Sequence, residues 1–201
     1  GWYSLKLTLQ SLQSAGIASF ASRCVLAMAA TFTFFQVLPH FPVGVSEVHF
    51  ILGSTLFLLF GAAPAAFGLA AGLLLQGLLF APTDLPQYFI NITTLLVPLF
   101  AVSALAKRVI APNTAYVDLS YAQALKLSTT YQAGVVAWVA FWAFYGQGFG
   151  AETLASVTSF GLAYMLVIII EPLVDLAVLA GAKAMRSLEK TGFVQARVYS
   201  A

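Results

Sequence analysis

The sequence consists of long apolar stretches separated by short polar segments. A helix needs about 20 mostly apolar residues to cross the hydrocarbon core of a bilayer. Stretches near this length predict six membrane-spanning helices, placed at residues 15–38, 46–61, 64–81, 87–107, 122–146 and 153–182. The pattern therefore predicts an all-α fold, a polytopic membrane helix bundle, with residues 1–201 forming one transmembrane domain.

The third predicted span is composed almost entirely of Ala, Gly and Leu. Its small residues are Ala66, Gly68, Gly72 and Gly77. Small side chains allow helix backbones to approach closely, which is a main route to helix association in a membrane. We expect this helix to pack tightly against a neighbour.

Composition agrees with a membrane protein. Hydrophobic residues make up 61% of the chain and charged residues only 8%, whereas a soluble domain carries about 25% charged residues. The formal net charge of +2 is small and gives no indication of nucleic-acid binding. The chain also lacks a nucleophile elbow, a zinc-protease motif and a phosphate-binding loop, so we predict no catalytic residues and no enzymatic activity.

The basic residues predict an orientation in the membrane. The connections 39–45, 82–86 and 147–152 contain no Lys or Arg. The basic residues that flank the spans are Lys6, Lys107, Arg108, Lys126, Lys183, Arg186, Lys190 and Arg197. Six alternating spans would place all of them on one side, which the positive-inside rule identifies as cytoplasmic. The three uncharged connections are then predicted to face outward.

A polar cluster is predicted at the outer end of the bundle. Glu47 and His49 enter the second span, and Asn91 opens the fourth at a similar depth. Imidazole and carboxylate groups are ligands for borderline divalent metals, so His49 is a candidate metal ligand. The alternative is a helix-end histidine bonded to a backbone carbonyl. His40, in Leu-Pro-His-Phe-Pro, is predicted to be a loop residue.

Gln76 is the strongly polar side chain of the third span. A buried amide in a membrane bundle usually bonds to a neighbouring helix. The other interpretation is a supporting role, in which Gln76 holds the His49 ring in one tautomer.

A second cluster is predicted in the inner half of the bundle. Arg23, Glu171 and Asp175 lie at comparable depths in their spans, and the two carboxyls share a helix face at i, i+4. Charges inside hydrocarbon are costly and normally pair or line a cavity. We expect a structural ion pair between Arg23 and one carboxylate, with a proton or cation path as the alternative.

Residues 37–101 resemble the cobalt- and nickel-specific substrate-binding membrane subunits of energy-coupling-factor transporters. Three motifs carry the resemblance. A Gly-Ser-x-x-His stretch is matched with one residue shifted by Gly44 to His49, and Leu-Leu-Gln-x-Leu-Leu is matched by Leu74 to Leu79. The asparagine of a Gly-x-Asn motif is matched by Asn91, without the glycine.

The resemblance implies a metal site made by an N-terminal Met-His-Ile segment together with His49. That site is a flat set of nitrogen atoms suited to Co(II) or Ni(II). The segment is absent from this sequence, and the family has an additional first helix that begins outside. We therefore expect a seventh, N-terminal helix upstream of Gly1, or else a relative that has lost metal binding.

The resemblance implies uptake of Co(II) or Ni(II) as the transported substrate, with no tightly bound cofactor. The partners would be a transmembrane coupling subunit and cytoplasmic ATPase subunits, in the inner (plasma) membrane of a prokaryote. The alternative is a non-transporting structural or accessory subunit of a larger membrane complex. Since only neutral imidazole binds metal, uptake is expected to weaken as the pH falls through the region near 6.5.

Overall fold

The computed structural model describes residues 2–200, except for the side chains of Tyr3 and Ser4. It contains helices α1 (Trp2–Phe32), α2 (Gly53–Phe60), α3 (Ala62–Leu79), α4 (Tyr88–Val109), α5 (Tyr121–Gln147) and α6 (Ala151–Ala184). Strands β1 (Phe41–Val43) and β2 (Ser46–Val48) form a small antiparallel hairpin between α1 and α2. The predicted all-α fold class is confirmed.

Four segments of the described chain are long and apolar enough to cross a membrane: Leu5–Val37, Ala62–Leu79, Pro82–Val109 and Ala151–Ala184. The protein is therefore a multi-pass membrane protein. Helix α5 has sufficient length at 27 residues but is more polar, with Ser128, Tyr131 and Gln132 buried against its neighbours. These four segments overlap the first, third, fourth and sixth of the six predicted spans.

The second predicted span, 46–61, is wrong in its first half. Residues 46–48 form β2, residues 49–52 have no regular secondary structure, and only the eight residues Gly53–Phe60 are helical. An eight-residue helix is about 12 Å long and cannot cross a bilayer alone. Apolar periodicity does not distinguish a short strand from a short helix, which explains the error.

Helix α1 is interrupted at Gly16, whose φ of 77° lies in the left-handed region that favours glycine. This break lies one residue from the predicted start of the first span. The remainder of α1 packs closely on α3, where a methyl group on Gly68 would overlap Ala27 and one on Gly72 would lie 2.7 Å from Cβ of Thr31. The predicted close packing of the small-residue helix is confirmed.

Contacts between connections define one end of the bundle. The Nζ of Lys183 donates a 2.8 Å hydrogen bond to Oδ1 of Asp118, and Nη2 of Arg197 donates to the carbonyl oxygen of Ala111 at 2.9 Å. The α4–α5 connection therefore meets both the C-terminal end of α6 and the segment that follows it. The hairpin lies against a different part of α6, near its beginning, where Gly44 meets Ser156.

Candidate functional site

The hairpin brings the two histidines of the chain together. Its register pairs Phe41 with Val48, so the next positions outward are His40 and His49. The turn depends on Gly44, which has a φ of +61° and lies so close to Ser156 that a methyl group would overlap the α6 backbone. The hairpin is therefore fixed against α6, with both histidines at its open end.

The His49 ring lies between aromatic neighbours. It stacks on the His40 ring with centroids 4.9 Å apart and an angle of 21°, and the Phe35 ring lies 4.6 Å away. The His49 side chain is only 12% exposed. The sequence did not predict the stack, because it placed His49 on a helix; strand pairing across Gly44 is the signal that could have revealed it.

The two ring nitrogens of His49 have different surroundings. Nε2 lies 3.2 Å from Oε2 of Glu47. Nδ1 is buried and has no hydrogen-bond partner within residues 2–200. A buried polar atom without a partner calls for an explanation such as an ion or water, so Nδ1 is a free ligand position.

Burial of the ring, together with a smaller effect of the nearby His40, lowers the pKa of His49 from 6.5 to about 4, although Asp84 acts in the opposite direction. The Glu47 side chain is 51% exposed, so water screens its charge. We therefore interpret the contact as Nε2–H of a neutral ring donating to Glu47. Neutral imidazole is the metal-binding form.

A cavity of about 430 Å³ adjoins the histidine. The four residues predicted for this site, Glu47, His49, Gln76 and Asn91, all line it, together with Asp84. The structure thus brings the predicted outer cluster together. The nitrogen Nε2 of His49 contacts Glu47, while Nδ1 is unpartnered, so Gln76 does not hold the ring in the way that the sequence suggested.

The described residues do not complete a metal site by themselves. No group of three or more His, Cys, Asp or Glu side chains within residues 2–200 is arranged to hold a metal ion. His49 supplies one nitrogen, and the carboxylate and amide groups around the cavity supply only oxygen or weak nitrogen donors. Further ligands are needed for tight binding of a borderline metal.

Two residues that sequence reasoning missed support the extended segment that carries His49. Tyr164 in α6 lies against the backbone of His49. The amide nitrogen Nε2 of Gln132 in α5 donates to the carbonyl oxygen of Ile51 at 2.7 Å. The only signal for Gln132 in the sequence is an amide inside a helix that is otherwise mostly apolar.

The predicted inner ion pair is wrong. Arg23 donates to the carbonyl oxygens of Phe60 at 3.1 Å and Ser19 at 3.2 Å, and to Oγ of Ser11 at 3.3 Å. Within the described chain, no Lys, Arg or His nitrogen lies within 4.0 Å of Glu171 or Asp175. The guanidinium instead binds a carbonyl at the C-terminal end of α2, where a cation is favoured.

Glu171 and Asp175 are both fully buried and lie together at the other end of α2. The hydroxyl oxygen of Ser54 lies 3.0 Å from Oε1 of Glu171 and 2.7 Å from Oδ2 of Asp175. Thr55 also contacts Asp175, and Ser128 lies 2.6 Å from Oε2 of Glu171. The predicted pairing of the two carboxyls on one face of α6 is therefore present, without the cation.

Comparison with known proteins identifies the family. The model of the cobalt uptake substrate-specific transmembrane region matches residues 5–188, which is most of the chain. No curated protein and no solved structure matches the sequence. The family consists of components of transporters rather than of enzymes. The chain belongs to the cobalt uptake substrate-specific transmembrane family, CbiM.

Proposed function

We propose that the protein captures Co(II) or Ni(II) at the His49 cavity and passes it across the membrane as the substrate-binding subunit of an energy-coupling-factor transporter. One observation carries the proposal: His49, whose buried Nδ1 has no partner among the described residues, lines a cavity that also contains carboxylate and amide groups. A borderline divalent metal favours such a nitrogen ligand.

The remaining ligands would come from outside residues 2–200. The family resemblance assigns them to an N-terminal Met-His-Ile segment, whose amine, amide and imidazole nitrogens would complete a planar set around His49. Glu47 would then support the ring through Nε2, since metal-binding histidines usually donate their other nitrogen to a carboxylate or carbonyl. This geometry suits Co(II) and Ni(II) alike, so uptake of both metals has to be measured.

The proposed working unit includes a second membrane protein and cytoplasmic ATPase subunits. The chain itself contains no phosphate-binding loop motif, so energy from ATP would have to come from other subunits. The family resemblance favours the plasma membrane of a prokaryote, and the charge pattern favours an orientation with the hairpin outside. This orientation predicts that cysteines placed at Asp84 and Glu152 react with an impermeant reagent in intact cells; reaction only after permeabilisation would reverse it.

Uptake of radiolabelled Co(II) and Ni(II) by cells that express the full-length protein with its partner subunits tests the proposal. We expect accumulation of at least one metal by the wild type and none by His49→Ala. The matched control is Glu152→Gln, which alters an exposed carboxyl that does not line the cavity and is expected to retain uptake. If the wild type accumulates neither metal, or if His49→Ala transports normally, the transport proposal fails, and an accessory role in a membrane complex becomes the better account.

A further inference from the structure

The buried carboxyl cluster beneath the cavity lacks the hydrogen atoms that its contacts require. Within the cluster, hydroxyl oxygens contact carboxyl oxygens at four places: Ser54 to Glu171, Ser54 to Asp175, Thr55 to Asp175 and Ser128 to Glu171. Three hydroxyl groups supply only three hydrogens, because each serine or threonine has one. If both carboxyls were ionised, one of these oxygen–oxygen contacts would contain no hydrogen.

The nitrogen donors do not remove this deficit. The amide of Ser54 points toward Oε1 of Glu171 at 3.4 Å, and Nε2 of Gln132 donates to Oε2 of Glu171 at 2.8 Å. Each uses its own hydrogen in its own contact. They increase the number of donors to Glu171 and leave the shared Ser54 hydroxyl with one hydrogen for two carboxyl oxygens.

Two buried polar atoms close to these carboxyls lack a hydrogen-bond partner among the described residues. Tyr131 is fully buried, and its hydroxyl has no hydrogen-bond partner among the residues described. Its ring packs on Gly53, the residue before Ser54. A methyl group on Gly53 would overlap the end of the ring that bears the hydroxyl. Oε1 of Gln132, whose amide nitrogen binds Glu171, is a buried acceptor that likewise lacks a donor.

No cation among the described residues pairs with Glu171 or Asp175 to balance two negative charges. Apart from Asp175, the titratable groups that interact electrostatically with Glu171 are the phenols of Tyr131 in α5 and Tyr164 in α6. Helix α2 contributes only backbone and hydroxyl donors to the cluster. Its N-terminus supplies about half a positive charge, which cannot compensate two carboxylates in a low-dielectric interior.

We propose that Glu171 and Asp175 bind one proton between them and form a proton-binding site inside the membrane domain. The proton belongs to the pair, on either side of the Ser54 hydroxyl, which accepts from one carboxyl and donates to the other. With this hydrogen added, all four hydroxyl–carboxyl contacts are satisfied. Oxygen atoms at these separations accommodate a proton between them.

Infrared spectroscopy of the full-length protein in lipid tests this site directly, because a protonated carboxyl has a C=O stretching band that an ionised one lacks. Glu171 and Asp175 are the buried members of the chain's seven carboxyl side chains, and the other five are exposed. We expect the wild type to show the band at pH 7. Glu171→Gln and Asp175→Asn should each abolish it, because an amide supplies the missing hydrogen.

Asp118→Asn is the matched control, since Asp118 is exposed and paired with Lys183, and the band should remain. Aspartate or glutamate labelled with ¹³C in the wild type keeps the test decisive even if a variant fails to fold. A band that shifts with either label supports the proposal, because lipid ester carbonyls do not shift. Absence of the band at pH 7, or a band unaffected by both labels and both variants, overturns it. This result is independent of metal binding.

Discussion

Arg23 and Glu171 are hydrogen-bonded to opposite ends of the same short helix, α2. Nη1 of Arg23 donates to the carbonyl oxygen of Phe60, the last residue of α2, at 3.1 Å. The backbone amide of Ser54, in the first turn, points toward Oε1 of Glu171 at 3.4 Å. A helix favours an anion or acceptor at its N-terminus and a cation at its C-terminus. The two side chains therefore stabilise a buried half-helix rather than each other.

This arrangement predicts the outcome of a double-mutant cycle. Arg23→Met should lower the free energy of unfolding by about 1–3 kcal/mol, because the buried carbonyl of Phe60 loses its donor. Adding Glu171→Gln should not restore the loss. Unfolding in detergent micelles measures both effects, with Arg186→Met, an exposed arginine, as the matched control. Strong rescue by the second change would instead support a direct ion pair.

Gln132 is predicted to position the metal-binding segment. Its Nε2 bridges the carbonyl oxygen of Ile51 and Oε2 of Glu171. Gln132→Leu should weaken Co(II) binding about 10- to 100-fold, the usual effect of losing a group that orients a metal ligand. Gln147→Leu, at the exposed end of the same helix, should have no effect. Equal affinities of the two variants in a binding titration would contradict this role.

The long helices could be predicted from the sequence, because their apolar stretches leave no alternative structure in a bilayer. The predicted span 64–81 corresponds to α3 (Ala62–Leu79), and 122–146 corresponds to α5 (Tyr121–Gln147). The hairpin could not be predicted in the same way. Residues 46–52 are apolar enough for a buried strand or a helix, and only pairing with residues 41–43 decides between them.

The site was predictable in its composition but not in its contacts. Depth along each span placed Arg23 level with Asp175, yet depth does not specify the direction in which a side chain points. The intervening half-helix α2, whose end carbonyl accepts a hydrogen bond from Arg23, lies inside the predicted span 46–61, and the apolar pattern does not show where it begins. By contrast, His49 and Asn91 were correctly grouped, because both follow chain reversals at the same end of the bundle.

Gly44 is predicted to hold the hairpin in place. Alanine at a φ of +61° costs about 1–2 kcal/mol in the backbone alone, and its methyl group would also displace the hairpin from Ser156. Gly44→Ala should therefore lower both thermal stability and Co(II) affinity. Gly146→Ala, in α5 with open space around it, should leave both unchanged. Equal behaviour of the two variants would show that the hairpin does not depend on this close contact.

The protonation of His49 gives a pH prediction that replaces the value near 6.5 expected from the sequence. With the pKa lowered to about 4, the ring stays neutral at mildly acidic pH. The free energy of unfolding has its full value with respect to His49 above pH 6.5. It falls by about 3 kcal/mol as the pH falls toward 4, because the unfolded chain binds a proton on His49 and the folded chain does not.

Proton NMR of the metal-free protein, labelled at histidine, measures this titration. His40→Ala should raise the pKa of His49, because it removes a nearby charge and part of the cover over the ring. Asp84→Asn should lower it. A titration of the wild-type ring near 6.5 would contradict the buried, neutral state.

The most direct test of the account is calorimetric titration of Co(II) into the purified full-length protein and its His49→Ala variant at pH 7. His49 lines the cavity and its Nδ1 has no partner among the described residues, so its loss should abolish high-affinity binding. His40→Ala, which removes the stacked ring but no assigned ligand, should only weaken it. High-affinity binding that is lost in His49→Ala is the predicted result. Unchanged affinity in that variant would contradict the assignment of His49 as the metal ligand.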